Sequence, residues 1–176
     1  MRSNAPELLL GLAPPATDAE IEDTERFLAV TFPDEVRWLY RQHNGSIDYT
    51  GPPLDGGIWL SLEGMRRTWT MWKDTYEAYS RAGVWNDIPG VYAHETWIPR
   101  WVPLTDSMGA GWTHWVDLDP GPKGTLGQIL LVYSDSTAVV APSICQWLWN
   151  YLGELEAGKW VRSKNGGLRR HDHPDQ

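Results

Sequence analysis

The sequence predicts a single α+β domain: a mainly antiparallel sheet packed with N-terminal helices and a C-terminal helix. Three observations carry this. Helical patterns cluster, three in the first half and one near the end, instead of alternating with strands as βαβ winding requires. The strand signals come as short runs joined by Gly- and Pro-rich turns, the mark of hairpins. A chain of 176 residues with 41% apolar and 22% charged side chains suits one domain that can bury a core. That domain is predicted over 1–162. Residues 163–176 hold two Gly, one Pro and no apolar pattern, so they read as a disordered tail.

Residues 11–16 read as an extended lead-in, because each Pro holds its predecessor out of the helical region. Thr17-Asp18-Ala19-Glu20 is a capping box opening a helix over about 18–29, with Ile21, Thr24, Glu25 and Leu28 on one face. Pro33 begins a second helix, and Asp34 and Glu35 complement its dipole. Val36, Leu39, Tyr40 and His43 form its stripe, and Asn44-Gly45 ends it. Residues 46–57 read as a long loop through Gly51-Pro52-Pro53 and Asp55-Gly56-Gly57, and Ile58–Leu62 as a strand or a helix approach. A third helix spans about 62–82, with Met65, Trp69, Trp72, Tyr76 and Tyr79 on one face and Gly83 closing it.

Residues 84–100 are irregular. Trp101–Thr105 is a short strand. Trp112–Asp119 alternates, with Trp112, His114, Val116 and Leu118 on one side and Thr113, Trp115, Asp117 and Asp119 on the other. The rich turn 119–124 leads into a strand at Gly127–Ser134, and Ala138–Ala141 is a third. Ser143 caps a last helix whose stripe is Ile144, Trp147, Leu148, Tyr151, Leu152 and Leu155, with Gly158 as its stop.

Composition excludes several function classes. The net charge of −8 and the pI near 5.0 speak against broad binding to a phosphate backbone and suit a basic partner. The single cysteine, Cys145, rules out an internal disulfide and a multi-cysteine zinc site. No apolar run approaches the ~20 residues of a membrane span. The N-terminus is too weak for a signal peptide, so the expected compartment is the cytoplasm. The unusual feature is 12 Trp against 7 Tyr and 2 Phe. Phe would fill a core with no polar atom to satisfy, whereas Trp brings an N–H and favours interfaces.

Thr17–Glu22 leading into Phe32-Pro33-Asp34-Glu35-Val36-Arg37-Trp38-Leu39-Tyr40 and His43-Asn44-Gly45 resembles the N-terminal signature of the SUKH superfamily. Trp101–Asp106, Gly111-Trp112, Val116–Pro122, Gly124 and Gly127-Gln128 resemble its strand-turn-strand core, so the likeness runs in order over about 14–155. That superfamily includes the fungal Smi/Knr cell-wall assembly regulators and many bacterial toxin-immunity proteins. The resemblance implies an α+β domain that binds other proteins. It carries over no catalytic residues. The aromatics Trp69, Trp72 and Trp85 depart from its pattern.

No catalytic group, metal site or cofactor is expected. Asp117 and Asp119, with Asp106, allow a divalent cation; equally, Asp119 opens the Pro-Gly turn and Asp117 bonds backbone N–H groups. His43 suits a helix C-terminus, His114 reads as packing, and His171-Asp172-His173 as an incidental tail motif. His94 falls in the irregular segment. Cys145 stands in a first helical turn, either activated there or buried as a small apolar residue. Neither Gly109-Ala110-Gly111 nor Gly121-Pro122-Lys123-Gly124-Thr125 has the spacing of a phosphate loop.

Trp69, Trp72, Trp147 and Tyr151 follow helical stripes and read as core. Trp149 lies off its stripe and reads as a cover for a neighbouring strand. The Trp residues in strands and loops, including Trp101, admit three readings: a partner surface, core packing or sugar stacking. The candidate partner-binding set is Asp55, Trp59, Trp85, Trp97, Asp106, Trp112, Trp115, Asp117 and Asp119. The leading function is an immunity protein that binds a cognate, basic toxin. The second is a regulatory scaffold for cell-envelope synthesis, and the third a carbohydrate binder or enzyme built on the Trp cluster.

Overall fold

A computed structural model describes residues 11–47, 53–79, 99–107, 111–133, 136–162 and 168–171. Helix α1 (Asp18–Leu28) starts at the expected capping box. The Thr17 hydroxyl accepts the Glu20 N–H at 3.3 Å, and the Glu20 carboxylate accepts the Thr17 N–H at 2.7 Å. Ile21, Thr24, Glu25 and Leu28 are its buried face. Glu25 is tolerated there because Arg37 grips both its oxygens, at 3.1 and 2.6 Å, while the Phe32 N–H donates at 2.6 Å. Helix α2 (Asp34–Gln42) begins one residue later than expected, with Pro33 standing just outside as the cap. Its buried residues are Val36, Leu39 and Tyr40.

Asn44 and Gly45 do more than stop α2. The Asn44 side-chain oxygen accepts the Leu62 N–H at 2.9 Å and so caps the next helix, α3 (Leu62–Tyr79). Gly45 has φ +78, and a Cβ there would lie 2.5 Å from the Ser61 nitrogen and 2.6 Å from the Leu60 carbonyl carbon. Two stretches of backbone meet at this point, and only glycine fits.

Residues 53–57 correct the long-loop expectation, while Ile58 and Trp59 are strand, one of the two readings of that stretch. Pro53–Leu54 (β1) and Gly57–Trp59 (β2) pair antiparallel across Asp55-Gly56, whose φ values are +51 and +84. Positive φ at both central residues is a two-residue type I′ hairpin turn. The segment Trp101–Thr105 also divides. Trp101–Pro103 (β3) pairs with one sheet and Thr105–Asp106 (β4) with the other. Leu104 is the crossing, with its N–H bonded to His114 and its carbonyl to Leu60.

Trp112–Asp117 (β5), Gln128–Tyr133 (β6) and Thr137–Ala141 (β7) complete an antiparallel sheet in the order β3-β5-β6-β7. A second sheet runs β1-β2-β4. The period-2 alternation of β3, β5 and β6 separates two apolar clusters. Val102, Val116 and Ile129 join the main core with α1, α2 and Trp147, whereas Trp101, Trp115, Leu130 and Val132 form a second cluster on the opposite face. Helix α3 covers that face through Trp69 and Trp72, the latter edge-on to Trp115 at 5.7 Å. Both faces are therefore packed along β3, β5 and most of β6, while Tyr133, Val139 and Val140 toward the β7 edge stay exposed.

Helix α4 (Ile144–Glu156) starts at Ser143, whose hydroxyl accepts the Gln146 N–H at 3.2 Å. Beyond it the disordered-tail expectation is corrected in part. Leu168–Arg170 (β9) pairs antiparallel with Trp160–Arg162 (β8). The pairing is local, so Trp160 needed only a partner strand a few residues on. Among the described residues no helix is long and apolar enough to cross a membrane.

Candidate functional site

The tight β1–β2 turn thrusts Asp55 toward the ends of β5 and α4. Its carboxylate accepts the Trp147 indole N–H at 2.8 Å and lies 3.4 Å from His114 Nε2. His114 is fixed from behind. The Thr105 hydroxyl lies 3.0 Å from its Nδ1 and accepts its backbone N–H at 3.1 Å. The imidazole is also wedged between Trp147, at 4.8 Å, and Trp112, at 5.4 Å. Burial pushes the Asp55 pKa up; hydrogen bonds from His114 and Trp147 and the charges of His114 and Arg170 outweigh it, leaving a net lowering.

Asp55 faces a cleft of about 690 Å³ between the sheet, α4 and the β8–β9 hairpin. Gly56, Trp112, His114, Leu131, Tyr133 and Val140 line it on one side, and Asn150, Glu154, Trp160, Leu168 and Arg170 on the other. Gly56 lets two indoles close in, since a Cβ there would lie 3.2 Å from Trp160 and 3.5 Å from Trp112. Glu154 accepts the Trp160 indole N–H at 3.1 Å and pairs with Arg170 at 3.3 Å and Lys159 at 3.6 Å. Burial pushes the Tyr151 hydroxyl up from its ordinary range, reinforced by the Asp55 and Glu154 charges.

Thr105, His114 and Asp55 form a hydroxyl–imidazole–carboxylate row, a pattern that can activate a nucleophile. Here Thr105 is fully buried, and a Cβ on Gly57 would meet its hydroxyl at 2.8 Å. No substrate can reach that oxygen, so the row positions Asp55. A second hollow, of about 530 Å³ beside α1, is lined by Glu22, Glu25, Arg26, Arg37 and Arg100 among others. There Arg37 is committed to Glu25 and Arg26 to Asp23.

Of the candidate partner-binding residues, Asp55 and Trp112 meet in the main cleft. Trp59 and Trp115 do not belong to a surface: they are 5% and 0% exposed, and Trp101 is likewise fully buried. Their strands have apolar neighbours on both faces, and that burial outweighs the indole preference for interfaces. Asp117 is also fully buried. It accepts the Asp119 N–H at 3.0 Å and the Gln128 amide at 2.8 Å, the backbone-bonding role weighed against a cation. Burial raises its pKa despite those bonds. Asp119 is exposed and Asp106 half-buried. Among the described residues no group of three or more His, Cys, Asp and Glu is placed to hold a metal ion. Trp85 and Trp97 lie outside the described residues.

Other expectations also change. Trp149 covers no strand and is 70% exposed. Cys145 is exposed, and the neighbouring Glu35 raises its thiol pKa by hydrogen bonding, the opposite of activation. Sequence reasoning missed Glu154, Trp160 and Arg170. A further signal was available in Asp55-Gly56, the dipeptide of a type I′ turn, which the sequence reading placed in a long loop.

The family model described as the SMI1 / KNR4 family (SUKH-1) matches residues 15–150. The chain belongs to the SMI1/KNR4 family. It is similar to the cell wall biosynthesis/cell cycle regulator smi1 of Schizosaccharomyces pombe, at 31% identity over 88% of this chain and 34% of that protein. It is also similar to the cell wall assembly regulator SMI1 of Saccharomyces cerevisiae, at 25% identity over 88% of this chain and 38% of the relative. A glucan synthesis regulatory protein of Neurospora crassa matches at 27% identity over 89% of this chain and 36% of its own length. The chain thus spans about a third of the length of these SMI1/KNR4 relatives. Within the family match lie Asp55, Trp112 and His114; Glu154, Trp160 and Arg170 lie beyond it.

Proposed function

We propose that this chain is a non-enzymatic, protein-binding module that regulates cell-wall assembly, acting in the cytoplasm, with the cleft at Asp55 as its partner-binding face. The observation that carries the reading is membership in a family whose fungal relatives are named as cell wall and glucan synthesis regulators. Those names favour the regulatory reading over toxin neutralisation, which the sequence alone placed first. The cleft fits a protein partner, because a half-buried indole, Trp112, beside charged groups is the usual composition of a binding hot spot. The charge of −8 favours a partner with a basic face and a salt-sensitive on-rate.

The test is a photo-crosslinking residue at the cleft rim, Trp112→benzoylphenylalanine, with Trp149→benzoylphenylalanine as a control, in native cells. Adducts to cell-wall synthesis components at 112 and not at 149 are expected. Adducts that contain no such component, or that are the same at both positions, overturn the reading. A captured toxin whose activity the chain abolishes puts neutralisation first.

A further inference from the structure

We propose that the cleft is a receptor for a basic side chain, a guanidinium or ammonium group carried by the partner, and that Arg170 of the chain's own C-terminal hairpin occupies that place beforehand. This rests on the cleft being the partner-binding face. Two carboxylates converge on one cavity, Asp55 from the β1–β2 turn and Glu154 from α4. Each is aimed by an indole N–H, from Trp147 at 2.8 Å and from Trp160 at 3.1 Å. The rings of Trp112 and Trp160, drawn together over Gly56, add aromatic surface of the kind that attracts a cation. Carboxylates backed by aromatic rings form a cation site, and the chain itself demonstrates the fit by placing a guanidinium there.

Arg170 Nη2 lies 3.3 Å from Glu154, and its side chain is 36% exposed. It stands on a β8–β9 hairpin of three residue pairs, a unit with little stability of its own. A partner's arginine can therefore displace it without disturbing the core. The same acidic surface that accelerates encounter with a basic partner then supplies the site where one basic side chain docks.

The indole N–H resonances of Trp147 and Trp160 report on the two carboxylates directly, so the full chain can be titrated by ¹H–¹⁵N spectroscopy. The probe is N-acetyl-arginine amide, with N-acetyl-citrulline amide as its neutral counterpart. Both resonances are expected to shift saturably with the arginine probe alone. Arg170→Ala removes one of the two cations that Glu154 already pairs with, Lys159 being the other, and should tighten binding by about fivefold. Glu154→Gln should abolish the response. Arg170→Gln keeps the side-chain length should the alanine variant loosen the hairpin. Equal shifts with citrulline, no tightening in either Arg170 variant, or an undiminished response in Glu154→Gln overturns the proposal. The titration uses no partner. A silent probe beside intact crosslinking at position 112 refutes the cation receptor alone.

Discussion

Replacing Asp55 by Asn separates the charge of the site from its shape. Asn tolerates the left-handed conformation that residue 55 adopts at φ +51, so the turn is retained. It also keeps an acceptor for the Trp147 indole. What disappears is the negative charge facing His114 Nε2 at 3.4 Å and felt by Arg170. Hydrogen bonds to charged groups contribute roughly 1.5–3 kcal/mol, and one of the two survives, so the expected loss near neutral pH is about 1–2 kcal/mol. For a domain of this size that lowers Tm by roughly 3–6 °C. The pH dependence carries more information. Folding lowers the Asp55 pKa, so its stabilisation is present above the unfolded value of about 3.9 and drains away as pH falls through the folded one. Urea unfolding of both proteins at neutral pH and near pH 3 is the assay. The wild type should lose more stability on acidification than Asp55→Asn, and the two curves should converge. Parallel curves, or equal stability at neutral pH, refute the assignment of Asp55 as an ionised, hydrogen-bonded anchor.

Gly45→Ala should cost about 2–4 kcal/mol, because the left-handed φ and the backbone contact near 2.5 Å act together; a urea midpoint equal to that of the wild type contradicts this. Trp115→Ala should cost roughly 3–5 kcal/mol from the core, while the exposed Trp149→Ala stays within about 0.5 kcal/mol, as scanning calorimetry would register. Arg37→Ala leaves the buried Glu25 carboxylate with the Phe32 N–H and without its cation, an expected loss of about 2–3 kcal/mol. Adding Glu25→Gln should restore part of that, and a purely additive double variant argues against the pairing.

Helix starts were legible because capping is local. Thr17 and Glu20, or Ser143 and Gln146, sit three residues apart and find one another within a single turn. The alternation of Trp112–Asp117 also identified its strand, whose neighbours Trp115 and Val116 fall into clusters on opposite faces. The same pattern was silent about what covers each face. Trp115 and Trp59 therefore passed for surface residues until α3 and α2 were seen packed against their sides. Part of the candidate site was legible in Asp55 and Trp112. Glu154 and Arg170 were not, because a charged residue on an amphipathic helix or in a polar tail looks the same whether it faces solvent or another chain segment.

By itself the sequence determined the α+β class, the caps of α1 and α4 and the family signature, all products of contacts within a few residues or of patterns repeated along one element. Only the tertiary structure decided which tryptophans are core, that Leu104 carries the chain from one sheet to the other, and that Asp55, His114, Glu154 and Arg170 share a cleft. These depend on pairings tens of residues apart, such as Trp147 with Asp55 and Asn44 with Leu62. Local periodicity holds no record of such pairings, because each side chain is chosen by a neighbour that the linear order does not reveal.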